Sequence, residues 1–221
     1  MFHWFEQRPF FFAVLVFIFV AFAGIIEVIP DFAKQSRPTV GTKPYSVLEL
    51  AGRHVYIKDS CNACHSQLIR PFKSDTDRYG MYSLSGEYAY DRPFLWGSKR
   101  TGPDLLRVGN YRTTDWHENH MWDPKAVVPG SIMPAYKHQF TNKADVETAY
   151  AEAVTVKKVF NTPYDQEGMP KLGTWEEAKV AALEEAKLIA ADMKDEKIKQ
   201  AVANGEVPEI VALIAYLNSL K

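Results

Sequence analysis

The two cysteines of the chain lie close together in the segment CNACH at residues 61–65, and a histidine follows the second one directly. On a helix, Cys61, Cys64 and His65 share roughly one face, because residues three and four apart are neighbours there. That face presents two thiols and one imidazole to the same ligand. The pattern is typical of c-type haem attachment, with two thioether bonds to the porphyrin and His65 as proximal iron ligand.

Three other interpretations of this segment compete with haem attachment. A thioredoxin-like redox pair belongs in a βαβ setting, and the residues around Ser60 predict none. A zinc site needs further cysteine or paired histidine ligands at short spacing, and a chance occurrence is the third alternative. Since the motif uses both cysteines, no disulfide framework remains. We therefore predict one covalent haem c and, because thioethers form outside the reducing cytoplasm, an exported domain.

The second axial ligand of the iron must come from a distant part of the chain. A methionine thioether opposite the histidine suits electron transfer. Of the six methionines, Met133 and Met169 each precede a proline, which keeps them out of the helical region and so fixes the direction of the sulfur. Met121 is a third candidate, and Met193 lies in a segment of surface character. We expect Met133 to be the ligand.

A loop beyond the motif could orient the ligand histidine. In small c-type cytochromes a Gly-Pro-x-Leu loop lies against the proximal side, and its proline carbonyl accepts the hydrogen bond of the imidazole. Residues 102–105, with the sequence GPDL, resemble this loop. We therefore expect the carbonyl group of Pro103 to fix the tautomer and orientation of His65.

Basic side chains could bind the two propionates of the haem. Arg100, Arg107 and Arg112 are candidates for such ion pairs, with solvated surface charge as the alternative. His117 and His120 lie three residues apart in a short predicted helix, but no third metal ligand is fixed nearby by spacing. A contact with a partner protein or a hydrogen bond to a propionate is the better interpretation of this histidine pair.

The amino-terminal part of the chain has the composition of a membrane anchor. Residues 10–26 contain no charged or strongly polar side chain, and Val28 and Ile29 extend the run past Glu27. A helical span needs about 20 apolar residues, with a lower limit near 17. A cleaved signal peptide is the alternative, but its apolar region is shorter and ends in small residues. We predict an uncleaved transmembrane helix within residues 1–30.

The rest of the chain predicts a mainly α-helical protein. Residues 31–45, interrupted by prolines, are interpreted as a linker, and residues 46–221 as one class I cytochrome c-like domain. Ser46 as N-cap with Glu49 three residues later predicts the start of a helix that leads into the haem motif. Residues 208–221 resemble the closing helix of the cytochrome c fold, which crosses that first helix.

The domain carries a predicted helical insertion at residues 141–205, rich in alanine, lysine and glutamate. Residues 175–194 have an amphipathic pattern, preceded by Thr174 as N-cap with Glu177 three residues on. We expect this insertion to be a solvated appendage. The net charge of the whole chain is −1, which gives no attraction towards nucleic acid.

Several segments together resemble the membrane-anchored mono-haem cytochrome c subunit (subunit II, FixO/CcoO type) of cbb3-type cytochrome c oxidases. They are CNACHSQLIRPF at residues 61–72, RYG at 78–80, RPFLWGSKRTGPDL at 92–105, DWH at 115–117 and VPGSIMP at 128–134. The resemblance implies that the haem c passes electrons from a dihaem cytochrome c subunit to the low-spin haem b of the haem–copper catalytic subunit. That partner reduces oxygen to water, so this chain is an oxidase subunit without a catalytic centre of its own.

The same resemblance has implications for location and single residues. It implies a single-pass protein of the bacterial inner membrane, with its amino terminus in the cytoplasm and its haem domain in the periplasm. Met133 matches the distal ligand of the family, and Ser98 matches a serine near a calcium ion at the subunit interface. Residues 96–100 are then better interpreted as a docking surface than as part of the haem pocket.

Three alternative functions stay open at this point. The mono-haem subunit of a nitric oxide reductase also has an amino-terminal anchor, but usually a shorter domain without the segment at residues 96–102. A free-standing anchored electron shuttle would have a surface that is polar all round. A haem-based gas sensor requires an open or exchangeable sixth position on the iron.

Overall fold

The computed structural model of the chain describes residues 2–33 and 37–221, which form two compact units that divide after Ser36. No strand occurs in these ranges, where an isolated bridge joins Lys143 to Pro208. The α-helices are α1 (Phe2–Glu6), α2 (Pro9–Ala33), α3 (Val47–Lys58), α4 (Cys61–Cys64), α5 (Lys73–Tyr79), α6 (Thr114–Trp122), α7 (Pro124–Val127), α8 (Val146–Phe160), α9 (Trp175–Ala191), α10 (Glu196–Ala203) and α11 (Glu209–Ser219). Short 3₁₀ helices lie at Ser85–Tyr88, Val108–Asn110 and Lys137–Phe140. The mainly α-helical fold predicted from the sequence is confirmed.

The amino-terminal unit consists of α1 and the long apolar helix α2. Within α2, Pro9–Ile29 is long and apolar enough to cross a membrane. Its large side chains, such as Phe10 and Phe17, are exposed, which suits contact with lipid. The helix ends at Ala33, beyond the expected end of the anchor at residue 30. Residues 34–36 of the predicted linker lie outside the described residues.

The second unit starts its helical core with α3, as the sequence predicts. Ser46 caps the helix, since its hydroxyl accepts from the Glu49 amide and the Glu49 carboxylate accepts from the Ser46 amide. Such a reciprocal cap satisfies two amides that have no partner inside the helix. Leu48, Ala51 and Val55 then lie at helical spacing on the buried side of α3. The helix therefore leads the chain directly into the cysteine motif in a fixed orientation.

The closing helix α11 crosses α3 at very short range. A Cβ on Gly52 would lie 2.5 Å from the Ala212 carbonyl carbon, so only glycine allows this approach of the two backbones. Beside the crossing, the rings of Tyr56 and Tyr216 pack edge to face with centroids 5.4 Å apart. The Tyr216 hydroxyl exchanges hydrogen bonds with the Gln67 amide at 2.9 and 3.0 Å. The predicted packing of the first and last helices of this domain is confirmed.

The insertion at residues 141–205 is not a solvated appendage, and that expectation was wrong. Its helices α8 and α9 pack against α3, and α9 also packs against α11. The reason is a stripe of alanines, spaced mostly by four residues, that lets the helices approach closely. The buried members of this stripe are Ala149, Ala153, Ala178, Ala182, Ala186 and Ala190. Met193, expected at the surface, is 2% exposed and belongs to the same core.

Polar contacts tie the insertion to the helices that carry the motif. His54 on α3 pairs with Glu152 on α8, and the Ser46 hydroxyl donates to the Glu185 carboxylate at 2.8 Å. On the other side, the buried Glu118 of α6 accepts from two backbone amides that precede α10. These are the amides of Lys194 at 2.7 Å and Asp195 at 2.8 Å. The insertion therefore braces both α3 and α6.

Candidate functional site

The end of α3 positions both cysteines, because α4 follows it after a short turn. In that turn Ser60 adopts a left-handed conformation with φ of 58°, and the His65 amide closes α4 by donating to the Cys61 carbonyl at 2.9 Å. Cys61 is buried and Cys64 is exposed. Burial raises the pKa of the Cys61 thiol to about 12. A thioredoxin-like pair belongs in a βαβ setting, and the described ranges contain no strand beside the motif.

The imidazole of His65 packs against the loop at residues 102–103. Its Nδ1 donates a hydrogen bond to the Pro103 carbonyl oxygen at 2.8 Å, and the Gly102 amide donates to the Cys64 carbonyl at 2.9 Å. Gly102 makes room for the ring, because a Cβ there would lie 2.7 Å from His65 Nδ1. Burial lowers the pKa of His65. A neutral ring that donates through Nδ1 keeps the lone pair of Nε2 for a metal ion.

Asp104 anchors this loop to the segment that follows the motif. Its buried carboxylate accepts hydrogen bonds from the Ser66 hydroxyl at 2.6 Å, the Leu68 amide at 2.8 Å and the Leu106 amide at 2.9 Å. Hydrogen bonds to an ionised acceptor are shorter and stronger than neutral ones. The chain alone therefore fixes the position of the Pro103 carbonyl.

Arg100 lies behind this loop and has other partners than a propionate. Its guanidinium is 2.8 Å from Asp75 and donates to the Ser66 hydroxyl and the Leu68 carbonyl, each at 2.6 Å. Hydrogen bonds from Arg70 and then Arg100 hold the pKa of Asp75 well below its usual range. Arg100 is thus part of the frame that supports the proximal loop. The predicted propionate contact of this residue finds no support in its surroundings.

A cavity of about 550 Å³ opens beside His65. This volume lies within the range of about 300–1,000 Å³ that small-molecule and cofactor sites occupy. Cys61, Cys64 and Met133 line it together with His65, so the residues that the sequence singled out share one site. Within the described ranges, no aspartate or glutamate belongs to its lining.

Helix α6 forms a second wall of the cavity. Trp116, His117, His120 and Met121 all line the cavity. His117 is 1% exposed, and neither of its ring nitrogens has a hydrogen-bond partner in the part of the chain that the structure describes. Burial, with the nearby charges of His120 and Arg112, lowers the pKa of His117 to about 4. This helix therefore presents neutral imidazoles to the cavity.

Two of the three candidate methionines line the cavity. Met133 is half-buried there, and its amide donates to the Ser131 hydroxyl at 3.2 Å. Met121 also lines the cavity and is buried. Met169 lies outside it, in the turn between α8 and α9, where its amide donates to the Gln166 carbonyl at 3.1 Å. The geometry thus leaves Met133 and Met121 as possible thioether ligands.

Ser98 lies outside this cavity, in an exposed part of the loop before residue 102. Among the described residues, no group of three or more histidine, cysteine or acidic side chains could hold a metal ion. Next to Ser98, the rings of Phe94 and Trp96 stack with centroids 4.6 Å apart and an angle of 6°. Both rings are exposed, at 47% and 41%. This part of the loop is an exposed aromatic surface.

Several cavity residues were not assigned a role from the sequence. They are Arg78, Tyr79, Tyr111 and Tyr136. The first two belong to the RYG segment at residues 78–80, which carried the resemblance but gave no chemical signal by itself. Arg107, by contrast, was a candidate and lies elsewhere, paired with Glu87 at 2.9 Å.

The residues around the cavity fit a haem. A half-buried histidine with a free Nε2, two thiols on one short helix, a methionine sulfur and a mostly apolar lining are the donor set of a c-type cytochrome. Together with the crossing of α3 and α11, this site defines the chain as a cytochrome c. The family described as "Cytochrome C oxidase, mono-heme subunit/FixO" matches residues 2–221. The chain belongs to this family, which confirms the resemblance drawn from the sequence segments.

Membership of the family makes the chain a mono-haem subunit of cytochrome c oxidase, an oxidoreductase complex of the respiratory chain. The comparison with curated proteins gives no match. The apolar helix α2 agrees with a membrane anchor.

Proposed function

We propose that the chain is the electron-transfer subunit of a cbb3-type oxidase and binds one covalent haem c. Cys61 and Cys64 would form the thioether bonds, and His65 and Met133 would be the axial ligands. Electrons would enter from a dihaem cytochrome c subunit and leave to the haem b of the haem–copper subunit, where oxygen is reduced. This chain would hold no catalytic centre of its own.

The observation that carries this proposal is the geometry around His65. Its ring lies on Gly102 with Nδ1 bonded to the Pro103 carbonyl, beside a cavity that also contains both thiols and Met133. A hydrogen bond from the nitrogen that does not bind the metal orients a ligand imidazole and raises its basicity. A bound haem supplies one-electron chemistry, and a His/Met ligand pair raises its reduction potential. The chain supplies orientation and a lining that limits the access of water.

The proposal extends to the membrane and to the partners. Helix α2 would hold the protein in the bacterial inner membrane, with the amino terminus in the cytoplasm and the haem domain in the periplasm. The stacked rings of Phe94 and Trp96 offer an exposed apolar surface for the haem–copper subunit. A calcium ion at Ser98 would need most of its ligands from that partner, since no metal-binding cluster lies in the described ranges.

The test is gentle detergent extraction of the full chain from native membranes, followed by reduced spectra and oxygen uptake. We expect b-type haem and copper to be recovered with the c-type band, in a preparation that consumes oxygen. Recovery of the chain alone, with only a c-type band, would contradict the oxidase proposal and favour a free-standing shuttle. Absence of any covalent haem from the purified chain would contradict the whole assignment.

A further inference from the structure

The wall of the cavity that α6 forms carries polar atoms that the proposed axial ligands do not use. His117 is almost completely buried, lines the cavity, and neither of its ring nitrogens is hydrogen-bonded within the described residues. His120 also lines the cavity, and its Nδ1 atom has no hydrogen-bond partner among the described residues either. Buried side-chain nitrogens in native proteins nearly always have a partner. A ligand of the cavity is the group that can supply it.

The charges around these histidines favour an anion. The described lining of the cavity contains Arg78 and Arg112 and lacks acidic side chains. Arg112 lies over the Trp116 ring at 4.3 Å, and the same ring stacks on His120 with centroids 4.5 Å apart. Arg112 thus lines the cavity together with both histidines. A carboxylate entering the cavity would therefore meet a permanent positive charge together with imidazole donors.

A metal ion fits this wall poorly. His117 and His120 lie on one helix without a third ligand, since no group of three or more suitable side chains occurs in the part of the chain described. Arg112, which lines the same cavity as both histidines, carries a permanent positive charge. The same charge would repel a divalent cation. Two neutral imidazoles beside a guanidinium are suited to donate hydrogen bonds to an anion.

We infer that His117, His120 and Arg112 form the binding site for a propionate of the haem. This inference rests on the proposed function, because it names the part of the site that takes the acidic edge of the cofactor. It assigns the role to α6 and not to Arg100, whose guanidinium is occupied by Asp75, Ser66 and a backbone carbonyl. The three residues hold the propionate in its ionised form.

The test measures the reduction potential of the full chain with haem attached, in detergent, as a function of pH. Ionisation of a propionate favours the ferric state, so the potential falls as pH rises through the propionate pKa. His117→Phe removes a donor to the ionised form, and Arg112→Gln removes a cation. Each substitution should raise the pKa of the propionate, so that the potential falls at a pH that is higher by about one unit or more. His117→Gln keeps a donor and should restore most of the wild-type profile.

Matched controls use the same substitutions outside the cavity. Arg107→Gln removes an arginine paired with Glu87, and His138→Gln removes a histidine paired with Asp59. Both should leave the pH profile unchanged. The other titratable groups in the described lining must stay as they are in every variant, and they are Cys61, Cys64, His65, Arg78, Tyr79, Tyr111 and Tyr136.

The outcomes separate this inference from the function on which it rests. A wild-type chain without covalent haem would overturn both. Attached haem with a wild-type pH profile in both Arg112→Gln and His117→Phe would overturn the propionate site alone. A changed axial-ligand spectrum in His117→Gln would mean that His117 binds the iron, which also overturns it. If His117→Phe does not fold, the pH profile of Arg112→Gln decides the question without it.

Discussion

The two walls of the cavity differ in how far the chain satisfies its own polar groups. On the proximal side, His65 Nδ1 is bonded to Pro103 and the Asp104 carboxylate accepts three hydrogen bonds. On the α6 side, His117 and His120 present nitrogens without partners in the described residues. The first wall is complete before a ligand arrives, whereas the second is completed by the ligand. The polar groups that orient His65 and those that remain open to a ligand thus lie in different parts of the fold.

The largest expected effect comes from removing the covalent attachment. In Cys61→Ala/Cys64→Ala we expect complete loss of covalently bound haem, checked by haem staining of a denaturing gel. Because Val108, Met121 and Leu217 belong to both the hydrophobic core and the cavity lining, the domain should also lose stability. Hydrogen exchange should show the loss of protection first at α6 amides and last in residues 102–106.

The single variant Cys64→Ala is the control, since it keeps the buried Cys61 and one thioether bond. Part of the covalent haem should survive in it. A double variant with normal helicity and full protection of α6 would show that both walls are complete without haem. The difference between the two walls would then be contradicted.

The next largest effect tests the proximal wall directly. Gly102→Ala places a Cβ 2.7 Å from His65 Nδ1, and the ring cannot keep both its position and its bond to Pro103. We expect covalent haem to remain while the iron loses its low-spin histidine ligation, as seen in the visible spectrum. The stability of the domain should change far less than the spectrum.

Gly52→Ala should change the stability and leave the spectrum unchanged, which is the opposite of the result expected for Gly102→Ala. Its Cβ would press on the Ala212 backbone at the crossing of α3 and α11, at a cost of about 1–3 kcal/mol in the free energy of unfolding. The spectrum of the folded fraction should be that of the wild type. Gly24→Ala, with open space around its Cβ, is a neutral control for both. Identical spectra for the wild type and Gly102→Ala would refute the role given to this glycine.

A smaller effect distinguishes the two methionines of the cavity. Met133→Leu keeps the volume but removes the sulfur, so the methionine–iron charge-transfer band should disappear and the reduction potential should fall. Met121→Leu should keep the band and change the stability by less than about 1.5 kcal/mol. The reverse result would make Met121 the distal ligand. Met169→Leu, outside the cavity, should change neither property.

Much of the proximal wall could be predicted because its signals are local. The cysteine motif, the cap at Ser46 and the loop at residues 102–105 each lie within a few neighbouring residues. A capping hydrogen bond or a turn is determined by nearby side chains, and the structure places these features where the sequence indicates them. The crossing of α3 and α11 was expected from the resemblance of residues 208–221 to the closing helix of the cytochrome c fold.

The α6 wall and the insertion could not be predicted in the same way. Burial of His117 depends on packing against residues far along the chain, and its sequence neighbours carry no sign of it. Alanine, lysine and glutamate at residues 175–191 look like a solvated helix, since the composition does not show that the alanines share one buried stripe. The partner of Arg100 could not be predicted for a related reason, because Asp75 lies in a separate helix.

The smallest expected effect separates the stability of the fold from the properties of the haem. Burial, with the nearby Glu185 carboxylate adding to it, raises the pKa of Glu49 from 4.5 to about 7. The folded state therefore binds more protons than the unfolded state between these values, and stability falls as pH rises from about 4.5 to 7. Glu49→Gln keeps the cap at Ser46 and should be more stable than the wild type by about 1–3 kcal/mol at pH 8, with little difference at pH 4.

Denaturant unfolding at both pH values checks this, with the exposed Glu147→Gln as matched control. Glu49 lies outside the haem cavity. The reduction potential of the haem in Glu49→Gln should therefore equal that in the wild type at each pH. That equality matters for the comparison of the two walls. If a gain in stability alone shifted the potential, the changes in Gly102, Met133 and the α6 residues could no longer be attributed to their contacts with the cofactor. A variant that is more stable at pH 8 but unchanged in potential makes those assignments specific to the cavity.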